Sequence, residues 1–362
     1  MRSQREGIRV GVVGVGYWGS KHVRVLRSMT DVASVVSIDQ CFVAGTANRR
    51  IDNLHKEYTD IGTALPEVDA VVIATPPSTH AALGLQAIAA GKHVLIEKPM
   101  ASTAAAAQSL VEAAEAAGVV LMAGHTFEHN AAVHKLREIV RQRELGQLYY
   151  LDCARLNLGL YQTDVNVIVD LAPHDISIAN FVLGSQPTTV TAWGARHVHP
   201  EHEDVAYLRL DYAEVGIQAN IHVSWLSPEK VRRITAVGSK KMAVYDDLAV
   251  DERIRVYDKS AIAPGSGDGP LSRVAYHHGD VVSPFIDFAE PLAVQDQHFV
   301  DCIASGARPT TDGHSGLAVV QALECAQISL AEHRPVAMAE VAQSPLAAVH
   351  ARNGAYAGVI PA

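Results

Sequence analysis

The chain has 362 residues, 48% of them hydrophobic and 19% charged, with a formal net charge of −9. That composition supports sizeable buried cores and two domains, and excludes a disordered chain. A negative field of this kind argues against general binding to nucleic acid or anionic membranes.

Four cysteines, Cys41, Cys153, Cys302 and Cys325, are widely spaced and form no CxxC pair. This favours reduced thiols in a cytoplasmic protein over a disulfide framework or a zinc site. No signal peptide and no bilayer-length apolar run is expected.

The first third alternates short apolar runs with helical patterns. Strands are expected at residues 8–14, 34–39, 69–76, at "HVLIEKP" from His93, and at 119–124. Helices are expected over Gly19–Ser28, Ala81–Ala90 and Thr103–Ala117, with Gly91 and Gly118 as left-handed caps. Continuous apolar strands between helices indicate a parallel sheet covered on both faces.

The pattern changes after about residue 125. An amphipathic helix is expected at 130–140, a strand at 148–158 and a helix from Asp170 to Leu183 closed by Gly184. Segments 206–212, 217–225, 232–238 and 241–247 then read as strands. In 217–225 apolar and polar residues alternate, the mark of an antiparallel sheet with one wetter face. Residues 259–273 read as a Gly/Pro/Ser-rich loop, and two helices near Val294–Ile303 and Leu317–Ala331 close the pattern. The expected division is a dinucleotide-binding domain at 1–125, an α/β substrate and oligomerisation domain at 126–345, and a tail at 346–362.

"GVVGVGYWGS" carries G-x-G-x-x-G as Gly14, Gly16 and Gly19, after a predicted strand and opening a predicted helix. Glycine permits the tight turn, the close approach of a pyrophosphate and the packing of helix on strand. The helix start, with Tyr17 and Trp18, offers N–H groups to phosphates. Asp39 ends the second strand 20 residues after Gly19, where a carboxylate binds ribose hydroxyls and repels a 2′-phosphate. The expected cofactor is therefore NAD, with NADP left open by Arg49 and Arg50 downstream.

"ATPPSTH" lies where a fourth strand should end. It makes Thr75, Pro76 and His80 candidate cofactor contacts; a rigid turn plus a helix cap is the alternative. Glu97 and Lys98 end the next strand on the same edge and are further candidate cofactor contacts. A lysine there can bind a substrate oxygen, or can simply snorkel into solvent. Pro99 biases Lys98 toward extended backbone and admits a cis bond. In "VDLAPHDIS", a helix would place Asp170 and His174 one turn apart, with Asp175 pointing elsewhere. His174 suits proton transfer and Asp170 can orient it or hold a hydroxyl. A helix N-cap for Asp170 and a half-buried structural role for His174 are the alternatives.

Together "GVVGVGYWG", "ATPPSTH", "GKHVLIEKPM" and "DLAPHDIS" resemble the Gfo/Idh/MocA oxidoreductases over nearly the whole chain. The resemblance implies an N-terminal Rossmann domain and a C-terminal α/β domain with a large, mostly antiparallel open sheet. Such a sheet implies a homodimer or homotetramer. It assigns Lys98 to nicotinamide and substrate, Asp170 to substrate binding and His174 to acid/base catalysis. Many members carry a Gly-Gly pair before this last motif, where this chain has "DVNVIVD"; the substrate side of the pocket is expected to differ. "GHTFEHNAAV", "GLYQTDVNVIVDLAPHDIS" and "MAVYDDLAVDERIRVYDK" are similar to the nucleotide-sugar 3-dehydrogenase and deoxysugar 3-ketoreductase branch. By position, Arg155, Asn157, Tyr161, Gln162 and Asn166 join Asp170 and His174 as candidate substrate contacts. The expected activity is hydride transfer between nicotinamide and a ring carbon of a sugar. A cyclitol dehydrogenase, an NAD-dependent hydrolase or eliminase, and a non-catalytic NAD-binding regulator are the alternatives.

Overall fold

A computed structural model describes residues 7–42, 55–159, 161–162, 165–198, 200–262 and 274–342. The expected tail at 346–362, most of the 259–273 loop, Arg49 and Arg50 lie outside the described residues. The chain forms two compact units: Met1–Thr126 with Leu292–Glu324 and Ala339–Ala362, and Phe127–Pro291 with Cys325–Met338.

The first unit runs β1 (Ile8–Val13), α1 (Tyr17–Ser28), β2 (Val32–Ile38), β3 (His55–Tyr58), α2 (Ile61–Ala64), β4 (Ala70–Ile73), α3 (Pro77–Ala89), β5 (His93–Glu97), α4 (Ala104–Ala117) and β6 (Leu121–Gly124). All strand pairs are parallel, in the order β3-β2-β1-β4-β5-β6. This is the doubly wound order, and its topological switch lies between β1 and β4. Strand alternation feeds two cores. Val71, Ile73, Val94 and Ile96 pack with Ile88, Leu110 and Val111 of α3 and α4. Ala70, Val72 and Leu95 pack on the other face with Val23, Val25 and Leu26 of α1. Thr103 caps α4 through the Ala106 N–H, and Gly118 closes it in the left-handed conformation at φ 66°. The sequence missed β3: "HKEY" has no apolar run to announce a strand.

The second unit holds α5 (Ala131–Arg141), β7 (Leu148–Leu158), α6 (Val167–Leu183), β8 (Thr189–Ala195), β9 (Val205–Tyr212), β10 (Ile217–Ser224), β11 (Leu226–Gly238), β12 (Met242–Asp246), β13 (Ile254–Ile262) and β14 (Ala275–Val282). Its sheet order is β14-β13-β12-β11-β7-β10-β9-β8-β15, with β15 at Val336–Ala337. Every pair is antiparallel except β7 with β10. In β10 the residues Ile217, Ala219, Ile221 and Val223 are buried, while Gln218 and Asn220 face solvent. On that wetter face the His222 ring stacks on Tyr207, which in turn tilts against Trp193.

β13 begins before the expected loop and takes in its first four residues. β14 was not expected because all eight of its residues are exposed, so no alternation marks it. Two further helices, α7 (Pro291–Ser305) and α8 (Gly313–Glu332), precede β15, and α9 (Met338–Ala342) follows it. The sequence division at 126–345 kept α7 with the second domain. The structure instead places Leu292–Glu324 in the first unit. Leu292, Phe299 and Val300 complete the core on the α1 face, and Leu317 and Val320 join the opposite one. Among the described residues no helix is long and apolar enough to cross a membrane.

Candidate active site

The carboxyl edge of the parallel sheet gathers the first set of candidates. Gly14 lies at φ 83°, and its N–H donates to the Ile38 carbonyl at 2.8 Å. A Cβ there would meet the Thr75 side chain and the Ala74 carbonyl, and one at Gly19 would run into the Gly14 carbonyl. At Gly16 a Cβ would meet nothing within 4 Å, so the loop keeps open space at the start of α1. No side chain caps that helix. Open space over an uncapped helix N-terminus is what a dinucleotide pyrophosphate requires, and the residues fit such a group. Tyr17 is 72% exposed and packs edge-on to Trp18, with the Lys21 ammonium over both rings.

Asp39 follows β2. Its Oδ2 accepts from the Val15 N–H at 2.8 Å and its Oδ1 from the Cys41 N–H at 2.9 Å. It thus braces the glycine loop, and each oxygen retains a lone pair for a ribose hydroxyl. Pro76 caps α3, and the hydroxyls of Thr75 and Thr79 lie 2.7 Å apart.

Two candidates are buried and hydrogen-bonded within the unit. His80 is 1% exposed, with Nδ1 2.8 Å from the Pro99 carbonyl and Nε2 2.8 Å from the Thr75 carbonyl. It ties the β4 and β5 exits together, and burial pulls its imidazole below the ordinary histidine value. Glu97 is 6% exposed; its Oε1 lies 3.1 Å from His22 Nε2 and its Oε2 accepts from the Lys98 N–H at 3.1 Å. Both candidates thus have hydrogen-bond partners inside the unit. For Glu97 the period of the strand sets this, sending it to the same face as Leu95.

Lys98 follows β5, half-buried, and the Lys98–Pro99 peptide is cis. Beside this turn stands His125, which the sequence did not single out. It is 1% exposed, neither ring nitrogen has a hydrogen-bond partner, and burial pushes it down to about 4. It is therefore neutral near pH 7.

The second set lies in the other unit. Asn166 caps α6 by accepting the Val169 N–H at 3.2 Å, and its amide donates to Glu203 at 2.8 Å and to Gln327 at 3.0 Å. The helix therefore starts three residues before Asp170, which sits in its first turn instead of capping it. Asp170 and His174 share one face of α6, one turn apart. Asp170 Oδ2 accepts from the Trp225 indole N–H at 3.1 Å. The His174 ring meets Phe127 edge-on, with centroids 5.0 Å apart. The Tyr161 ring lies 5.1 Å from Trp225, and its buried hydroxyl has no partner; the same holds for Asn157 Oδ1. Burial, helped by Asp204, raises the Tyr161 phenol. Gln162 is half-buried beside Tyr161 in sequence.

Arg155 is engaged inside the fold. It is 5% exposed and forks onto Asp175 at 2.8 and 3.0 Å, with its guanidinium over Phe127. Asn166 is likewise committed. One physical cause acts in both: a buried polar group needs its partners, and these two have found them inside the fold. Trp225 and Phe127, in contrast, were missed, because a strand-end tryptophan and a lone phenylalanine read as core. Asp175→Asn leaves the Arg155 charge buried and unpaired and is expected to destabilise the protein by about 3–5 kcal/mol, read as a lowered urea midpoint.

Residues 8–125 match the model of the oxidoreductase family with an NAD-binding Rossmann fold, and residues 133–244 match the GFO/IDH/MocA C-terminal domain. The UDP-N-acetylglucosamine 3-dehydrogenase of Acidithiobacillus ferrooxidans is 29% identical over 320 residues, spanning 87% of this chain and 95% of the relative. The solved structure of that enzyme, GnnA, superposes with a TM-score of 0.73 at 27% identity, covering 90% of this chain and 97% of the other. The inositol 2-dehydrogenase of Rhizobium meliloti is 24% identical over 343 residues, or 92% of this chain and 99% of the relative. With both halves matched in order on an NAD-binding Rossmann fold and a large, mostly antiparallel sheet, the chain belongs to the Gfo/Idh/MocA oxidoreductase family.

Proposed function

We propose that the protein transfers a hydride between nicotinamide and a ring carbon, C3, of a nucleotide-linked sugar. The observation that carries this reading is the likeness to a UDP-N-acetylglucosamine 3-dehydrogenase along both halves of the chain. A nicotinamide dinucleotide, when bound, supplies or accepts the hydride. The Gly14–Gly19 loop and the start of α1 hold its phosphates, and Asp39 takes the ribose hydroxyls, which favours NAD over NADP. Lys98 donates to the reacting oxygen and steadies the negative charge that develops there. His174 takes the hydroxyl proton on oxidation and returns it on reduction. Asp170, oriented by the Trp225 indole, holds a neighbouring hydroxyl. The unpartnered Tyr161 hydroxyl and Asn157 carbonyl supply further contacts to a polyol.

The inositol 2-dehydrogenase relatives support a second reading, a cyclitol as substrate. A thermal-shift and turnover panel separates the two. The expected result is a rise in melting temperature with UDP-N-acetylglucosamine or a related UDP- or dTDP-sugar when NAD is present, and NADH formation at its absorbance band. A response to myo-inositol alone selects the cyclitol. Product release with no net NADH overturns the dehydrogenase reading. NADP outperforming NAD overturns the role given to Asp39.

A further inference from the structure

The turn that carries Lys98 is held from behind. Alternation along β5 sends Leu95 and Glu97 to the face shared by α1 and α7. There the Glu97 carboxylate meets His22, which is 0% exposed. His22 Nε2 lies 3.1 Å from Glu97 Oε1, and Nδ1 lies 2.9 Å from Asp296 Oδ2 and 3.0 Å from Oδ1. The second Glu97 oxygen accepts the backbone N–H of Lys98. An imidazole with carboxylates on both nitrogens satisfies them only when both nitrogens carry protons; a neutral ring would set a lone pair against a buried carboxylate. The chain of contacts runs from α7 through α1 to the amide of the lysine.

We propose that His22, gripped by Asp296, is a positioning residue: it fixes Glu97, and through Glu97 the backbone of Lys98, so that the ammonium is presented from a set point beside the helix that takes the dinucleotide phosphates. The inference rests on Lys98 being the group that polarises the reacting oxygen. His80 secures the far side of the same turn through the Pro99 carbonyl.

The charges around His22 fix the direction of its pH response. Glu97 faces it from β5, with Lys98 next in the chain, and Asp296 faces it from α7, with the Gln295 amide 3.5 Å from the same carboxylate. His125, after β6, faces Glu97 and Lys98 and is neutral near pH 7. Burial alone would lower the His22 imidazole, but Asp296 and Glu97 outweigh it and push it up to about 10, from an ordinary 6.5. The arrangement is therefore intact at neutral pH and is lost as pH rises through about 10.

The test uses the full chain, NADH, UDP-N-acetylglucosamine and acetic anhydride, with acetylation of Lys98 read by peptide mass spectrometry. In His22→Gln, turnover is expected to fall roughly 10- to 100-fold while NADH affinity stays within about threefold. NADH is expected to protect Lys98 from acetylation in the wild type and not in His22→Gln. In Asp296→Asn, His22 keeps one carboxylate, so the alkaline fall in Lys98 protection moves to lower pH. Wild-type turnover or protection in His22→Gln overturns the proposal, as does a proportional loss of turnover, NADH affinity and melting temperature, which marks a purely structural role. If UDP-N-acetylglucosamine is not turned over, the protection pattern decides. If His22→Gln does not fold, Asp296→Asn decides, and an unmoved alkaline fall overturns the proposal. Lys98→Ala separates the two claims: wild-type turnover there rejects the role of the lysine, whereas its loss with an unaffected His22→Gln rejects the role of the histidine.

Discussion

Lys98→Ala is expected to lower turnover by about 10²–10³-fold, the range found when one donor to a developing oxyanion is removed. NADH affinity is expected to stay within about threefold, because the removed interaction strengthens only as charge develops on the reacting oxygen. The dinucleotide is assigned to other residues: the Gly14–Gly19 loop, the start of α1 and Asp39. Steady-state kinetics on the sugar selected by the thermal-shift panel, with NADH binding followed by fluorescence, measure both quantities. Turnover within a few-fold of wild type rejects the assignment. Equal losses in affinity and turnover move the lysine from chemistry to cofactor binding.

Glu97 and Lys98 show how far a short motif can be read. Val94 and Leu95 announce a buried strand, and its exit onto the carboxyl edge of a parallel sheet follows from the alternating pattern. That places Lys98 on the rim. One residue earlier, Glu97 carries no such local mark. The strand period separates the two: Glu97 follows Leu95 into the α1–α7 layer, and Lys98 begins the turn. A count by twos along β5 would have found this.

The rest was hidden for a different reason. His22 and Asp296 are 274 positions apart, and nothing local in either helix points to the other. The same holds for α7, whose apolar residues read correctly as a helix but carry no mark of which sheet they cover. Arg155 and Asp175 were both visible as polar residues in apolar surroundings, a pattern that signals a ligand contact or an internal ion pair equally well. Glycine loops, caps and strand exits are written in a few consecutive residues; pairings are written only in the folded chain.

His174→Asn is expected to lower turnover by about 10²–10⁴-fold, the usual contribution of a positioned acid or base. Asparagine keeps a polar planar group beside Phe127 but cannot exchange a proton near neutral pH. The loss should depend on pH in a way the Lys98 variant does not. In the oxidation direction only the neutral imidazole can accept the hydroxyl proton, so wild-type turnover rises with pH until that form dominates. In His174→Asn this limb disappears and the residual rate follows hydroxide instead. Asp170→Asn gives the contrast. Its amide oxygen still accepts from the Trp225 indole, so the ring and the helix stay placed, while the hydroxyl contact is weakened; its effect should fall more on KM than on the pH limb. A His174→Asn enzyme that keeps the wild-type limb assigns the proton to another group. The neutral, unpartnered His125 beside the Lys98 turn is then the first residue to replace.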